Sequence, residues 1–180
     1  MRLGRAVLRL ILGGLFVGHG AQKLFGSFGG HGPAGTGAFF ESLGLKPGEP
    51  MAKAAGASEV GGGALVALGL FTPVGAMLLS STMLTAIWTV HRKKGVWATG
   101  GGYEYNLVVV ALLFALTEVG PGPLSIDDAR GSEMKGLGWA VLMLALAAAG
   151  SAATIALGSS GADDGQAAEG SGPAGDPATP

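Results

Sequence analysis

Long apolar blocks, rather than alternating or narrowly amphipathic stripes, dominate this chain. A transmembrane helix needs roughly 20 mostly apolar residues, and five stretches are candidates. They run from Ala6 to Phe25, Met51 to Leu70, Pro73 to Val90, Glu104 to Gly120, and Leu137 to Leu157. Only Phe71 and Thr72 separate the second from the third. Thr72 can cap a helix and Pro73 suits a first turn, where its missing N–H is not needed. Those two spans are predicted to form a tight antiparallel hairpin. In the first loop, Phe39, Phe40 and Leu43 fall at helical spacing before Pro47-Gly48. That spacing fits a short interfacial helix, or equally a loop that packs its own aromatics. The pattern predicts an all-α, polytopic membrane helix bundle, with a four-helix core and a fifth C-terminal transmembrane helix.

Composition agrees with a bilayer as solvent. Of 180 residues, 48% are hydrophobic and only 13% charged, against about 25% charged in a soluble domain. A basic start followed by an apolar run also describes a signal peptide, but the apolar spans continue far downstream. The formal net charge of −1 comes without a basic stripe, so the expected partner is lipid and not nucleic acid. Cysteine is absent, which excludes a disulfide, a thiolate metal site and a Cys-x-x-Cys pair within the chain. The three histidines and scattered carboxylates lack the spacing of a metal or haem site. Residues 158–180 hold four acids, no bases and no large apolar side chain. Such a segment buries too little to offset its ordering entropy, and an acidic, disordered tail is expected.

Basic residues do not set the orientation. Arg2, Arg5, Arg9, Arg130 and Lys135 lie toward one side, and Lys23, Lys46, Lys53, Arg92, Lys93 and Lys94 toward the other. Alternation of the spans still places the first and third loops together. On that shared side gather His19, Gln22 and Lys23 from the first span and Glu59 from the second. His91 ends the third span, Trp97 lies in the third loop, and Glu104, Tyr105 and Asn106 open the fourth span. At about 1.5 Å per residue, His19 lies roughly 9 Å inside its span end and Glu59 roughly 12 Å inside its start. His19 and Lys23, four apart, share one helix face. A carboxylate at that depth needs a partner, water or a proton. Glu59 is therefore a candidate proton acceptor or ligand anchor; the alternative is an ion pair that locks the bundle, with His19 or Lys23 as partner. Trp88, Trp97, Tyr103 and Tyr105 suit an aromatic belt, and Arg92-Lys93-Lys94 suit lipid headgroups. Two stretches, Gly14 to Gly18 and Gly61 to Gly63, permit close helix approach.

Three segments together resemble the DoxX family of small membrane proteins: LFVGHGAQKLFG in the first span, ASEVGGGALVALGLFTP across the hairpin, and HRKKGVWATGGGYEYNLVVVALL into the fourth span. The resemblance covers roughly residues 5–130. It implies a four-helix membrane bundle over residues 1–130, to which residues 137–157 add a helix. It also implies a link to membrane redox chemistry, since some relatives accompany quinone-reducing or quinol-oxidising complexes. It carries over to Lys23, Glu59 and Glu104, and further to His19 and His91.

Three functions follow as expectations. The first is a subunit of a membrane redox complex, in a bacterial inner membrane, binding a quinone-like ring between the first four helices. Glu59, His19 and Lys23 would then be the catalytic group, and Glu104, His91, Trp97 and Tyr105 would line the cofactor. No haem, flavin or iron–sulfur motif is present, so a partner protein would supply electrons. That reading requires an apolar cavity beside Glu59. The second is a non-enzymatic scaffold or assembly factor, in which the same polar groups only lock helices. The third, a small transporter, fits less well, because the polar residues cluster on one side.

Overall fold

The structure is a computed structural model that describes residues 2–170. It contains helices and turns, with no strand among the described residues. In chain order the helices are α1 (Arg2–Phe25), α2 (Gly32–Ser42), α3 (Gly48–Leu68), α4 (Thr72–Ala86), α5 (Glu104–Val119), the single turn α6 (Ile126–Ala129) and α7 (Leu137–Gly170). The segment expected to hold an interfacial helix is α2; Phe39 is exposed on it and Phe40 half-buried.

Three stretches are long and apolar enough to cross a membrane: Leu3–Phe25, Thr72–Lys94 and Leu137–Ser160. The other two predicted spans form helices that depend on the bundle. Helix α3 carries Glu49, Lys53 and Glu59 among small residues, which lowers its hydropathy, and it packs between α1 and α4. Helix α5 has 16 residues, about 24 Å of rise against a hydrocarbon core of about 30 Å, and it packs on α4 and α7.

Glycine sets how closely α1 and α3 approach. A Cβ on Gly20 would stand 2.6 Å from the Gly56 carbonyl oxygen, and one on Gly63 would stand 2.6 Å from that of Gly13. Two antiparallel glycine pairs, Gly13 with Gly63 and Gly20 with Gly56, thus bring the backbones together. The stretch singled out in the sequence behaves differently. Neither Gly14 nor Gly18 has an atom within 4 Å of an added Cβ, so that face of α1 is open. Gly62 and Gly75 make the α3–α4 contact instead.

One apolar core runs through the molecule, from Leu12 and Phe16 on α1 through Val66, Leu79 and Leu113 to Met143 on α7. The fifth span is therefore built into the core, and α7 packs on both α4 and α5. It also continues to Gly170, beyond Gly158, where the sequence reading begins a disordered tail. Extending a formed helix adds one hydrogen bond per residue ordered, and no proline intervenes before Pro173. Residues 171–180 of that expected tail lie outside the described residues.

A buried polar knot ties the opposite end of the bundle. Arg9, 1% exposed, donates to the Ala67 carbonyl at 3.0 Å and the Leu124 carbonyl at 2.9 Å. Asp127, fully buried, accepts from Phe71 N–H at 3.0 Å and from the Thr72 N–H and hydroxyl, each at 3.2 Å. The start of α4 is thus capped by a distant carboxylate and not by Thr72 itself. That carboxylate also anchors Phe71, which takes the left-handed conformation at φ 45°.

Candidate functional site

The α1–α3 contact positions the first three candidate residues. Lys23 lies in the last turn of α1 and Glu59 midway along α3. Because the helices are antiparallel and held close by glycine, their side chains meet: Lys23 Nζ donates to Glu59 Oε2 at 2.6 Å. The Glu59 side chain is 5% exposed and that of Lys23 23% exposed. The carboxylate is thus enclosed while the ammonium retains a path outward. His19 stands one turn before Lys23 on the same face of α1 and is exposed. Its Nδ1–H donates to Gln22 Oε1 at 3.1 Å, and Gln22 in turn donates to the Phe28 carbonyl at 3.3 Å. An edge-on contact with Phe16, 6.2 Å between ring centres, fixes the imidazole plane. His19 Nε2 is left without a hydrogen-bond partner on the exposed side.

The other four candidates gather elsewhere, in the turn between α4 and α5. His91 Nδ1–H donates to the Gly101 carbonyl at 2.7 Å. Glu104 Oε2 accepts from Ala98 N–H at 2.9 Å. Backbone bonds from Tyr103 to Gly95 and from Glu104 to Val96 close the same turn. Trp97 and Tyr105 are 71% and 50% exposed. His91 and Glu104 therefore shape a loop, and neither makes a hydrogen bond to Lys23, Glu59 or His19.

Two cavities are described, and neither touches Glu59. One, about 240 Å³, lies between the end of α4, the α2–α3 corner and the late turns of α7. The other, about 270 Å³, is a surface hollow beside Asp128, Glu133 and Lys135. No group of three or more His, Asp or Glu residues is disposed to hold a metal ion among the described residues.

Sequence reasoning passed over Arg9 and Asp127. The signals were present: an arginine within an apolar span, and Ser125-Ile126-Asp127-Asp128, in which Ser125 Oγ accepts from Asp128 N–H at 3.1 Å as a cap. Neither pattern states that the two residues meet the same loop.

A family model described as DoxX matches residues 4–92. This part of the chain is similar to the DoxX family. The matched region runs from the start of α1 to Arg92, six residues beyond α4, so it includes the Lys23–Glu59 pair. The turn bearing Glu104 and the helices α5 to α7 follow the matched region. No curated protein and no solved structure matches the chain. The DoxX match and the apolar helices together make this an integral membrane protein in contact with the lipid bilayer.

Proposed function

We propose that this protein is a non-enzymatic membrane subunit, a charge-locked bundle that holds another membrane protein, in a bacterial inner membrane. The observation that carries this reading is the direct 2.6 Å contact between Lys23 and Glu59. The two charges are spent on each other, which is what a helix lock does. The open Gly14–Gly18 face of α1 supports the partner half of the reading. A second helix can approach a glycine face closely, and His19 and Gln22 border that face with polar groups a partner helix can bond.

Reversing the pair tests the lock. Lys23→Glu and Glu59→Lys should each lower the yield and thermal stability of the purified protein. The double reversal, K23E/E59K, should restore most of both, together with capture of the partner from mild detergent. Chemistry that needs a carboxylate on α3 would not survive the reversal. A double variant that folds as well as the parent yet loses a measurable redox or transport activity would overturn the proposal.

A second reading has one observation in its favour. His19 is exposed with Nε2 unpaired, and Lys23 beside it is partly open. A quinone-like ring approaching from the lipid side would meet an imidazole and an ammonium able to hydrogen-bond a carbonyl oxygen. An electron-supplying partner protein would complete that arrangement. Quinone retained by the purified protein, and lost in His19→Ala, would favour it over the scaffold.

A further inference from the structure

The apolar stretch Thr72–Lys94, which begins as α4, ends unusually. After Ala86 the backbone widens into one π turn, Ile87–His91, in which Arg92 N–H donates to the Ile87 carbonyl five residues back. A tight turn, Arg92–Lys94, follows. The widened turn brings Arg92 over the ring of Trp88, with the guanidinium carbon 3.9 Å from the ring centroid. π turns occur disproportionately at functional sites, and here the turn forms one wall of the 240 Å³ cleft.

The cleft has two chemical halves. Arg92 and Lys93 supply positive charge, and Thr89 and Ser159 add hydroxyls. Leu45 and Ile155 form an apolar wall. Among the described side chains, the ion pairs are Lys23–Glu59, Lys53–Glu49 and Lys135–Glu133, so no described carboxylate pairs with Arg92 or Lys93. The depth is equally specific. The apolar segment Thr72–Lys94 ends at these cations, which puts them at the level of the headgroups, and Ile155, more than one turn inside the end of the Leu137–Ser160 stretch, carries the lining toward the apolar interior.

We propose that this cleft binds the phosphate of an anionic phospholipid, with Arg92 and Lys93 on the phosphoryl oxygens and the acyl chains descending past Ile155. A soluble phosphate would satisfy the cations but leave the apolar wall unused, so the lipid is the occupant. Each cation close to an anionic membrane surface contributes about 1 kcal/mol, about fivefold in affinity. The pair should therefore favour an anionic over a zwitterionic lipid by an order of magnitude or more. This site is separate from the Lys23–Glu59 pair and stands or falls independently of the scaffold reading.

Trp88 is a built-in reporter. The full chain with Trp97→Phe and Trp139→Phe retains Trp88 alone and is reconstituted in phosphatidylcholine vesicles. Phosphatidylglycerol brominated on its acyl chains should quench Trp88 more strongly than brominated phosphatidylcholine at equal mole fraction. R92Q/K93Q in the same background should abolish the difference, with the helical circular dichroism unchanged. K94Q, which alters a cation outside the cleft, should preserve it. Equal quenching by the two lipids, or a preference that survives R92Q/K93Q, overturns the site. Relief of quenching by inorganic phosphate assigns the cleft to a soluble anion and overturns the lipid. A preference that emerges only in D163N/D164N shows that the chain's own acidic segment fills the cleft, which also overturns it.

Discussion

Lys23 and Glu59 differ in what each can do alone. Glu59 is enclosed, and a buried carboxylate left without its partner is costly, whereas Lys23 can extend toward the surface. Lys23→Met should therefore destabilise the protein by about 3 kcal/mol. Glu59→Gln, which keeps an acceptor for the ammonium, should cost about 1 kcal/mol. Thermal melts of both variants in one detergent would check the order, and equal losses would remove the asymmetry. Asp127 carries a heavier structural duty, since it serves three donors at the start of α4. Asp127→Ala should cost about 3 kcal/mol and expose the α3–α4 corner to proteolysis. Glu59 was legible as a residue in need of a partner, because a carboxylate deep in an apolar helix admits few alternatives. Asp127 was not, because its neighbours in sequence give no hint that it caps a helix more than fifty residues earlier.

Helix α1 has two glycine faces with opposite duties. Gly20 has no room for a methyl group against Gly56, so Gly20→Ala should push the helices apart and cost about 2 kcal/mol. Gly18 has open space around it, so Gly18→Ala should be neutral or stabilising by up to about 1 kcal/mol. If the open face receives a partner helix, Gly18→Leu should leave the melting temperature of the isolated protein unchanged while lowering co-purification of that partner. The apolar runs predicted the existence of the five long helices. The choice of glycine face was illegible, because Gly13, Gly14, Gly18 and Gly20 look alike until the rotation of α1 is known. The same rotation leaves His19 exposed while Lys23, one turn later on the same face, is partly buried.

At the level of the entire bundle, the prediction concerns α7. Its Met143 lies in the same core as Leu79 and Leu113, and α4 and α5 both pack on it. A chain ending at Lys135 should lose the bundle: it should accumulate poorly, aggregate in mild detergent and show no cooperative melt. A monodisperse, cooperatively melting fragment would instead make α7 an accessory anchor. The packing order also explains why His91 and Glu104 make no hydrogen bond to the Lys23–Glu59 pair. Helix α1 packs on α3 and α2, while the His91–Glu104 turn belongs to the junction between α4 and α5.

Length and hydropathy were enough to establish an all-helical membrane protein and the approximate bounds of its long helices, because a bilayer demands continuous apolar runs whatever the neighbours are. They also marked Glu59 as a charge in need of company. Which partner it finds, which glycines touch, which groups Arg9 and Asp127 bond, and whether a cleft opens beside Trp88 all depend on helix rotation and packing order. Those are properties of residues far apart in the chain, set by close-packed contacts that local pattern cannot encode.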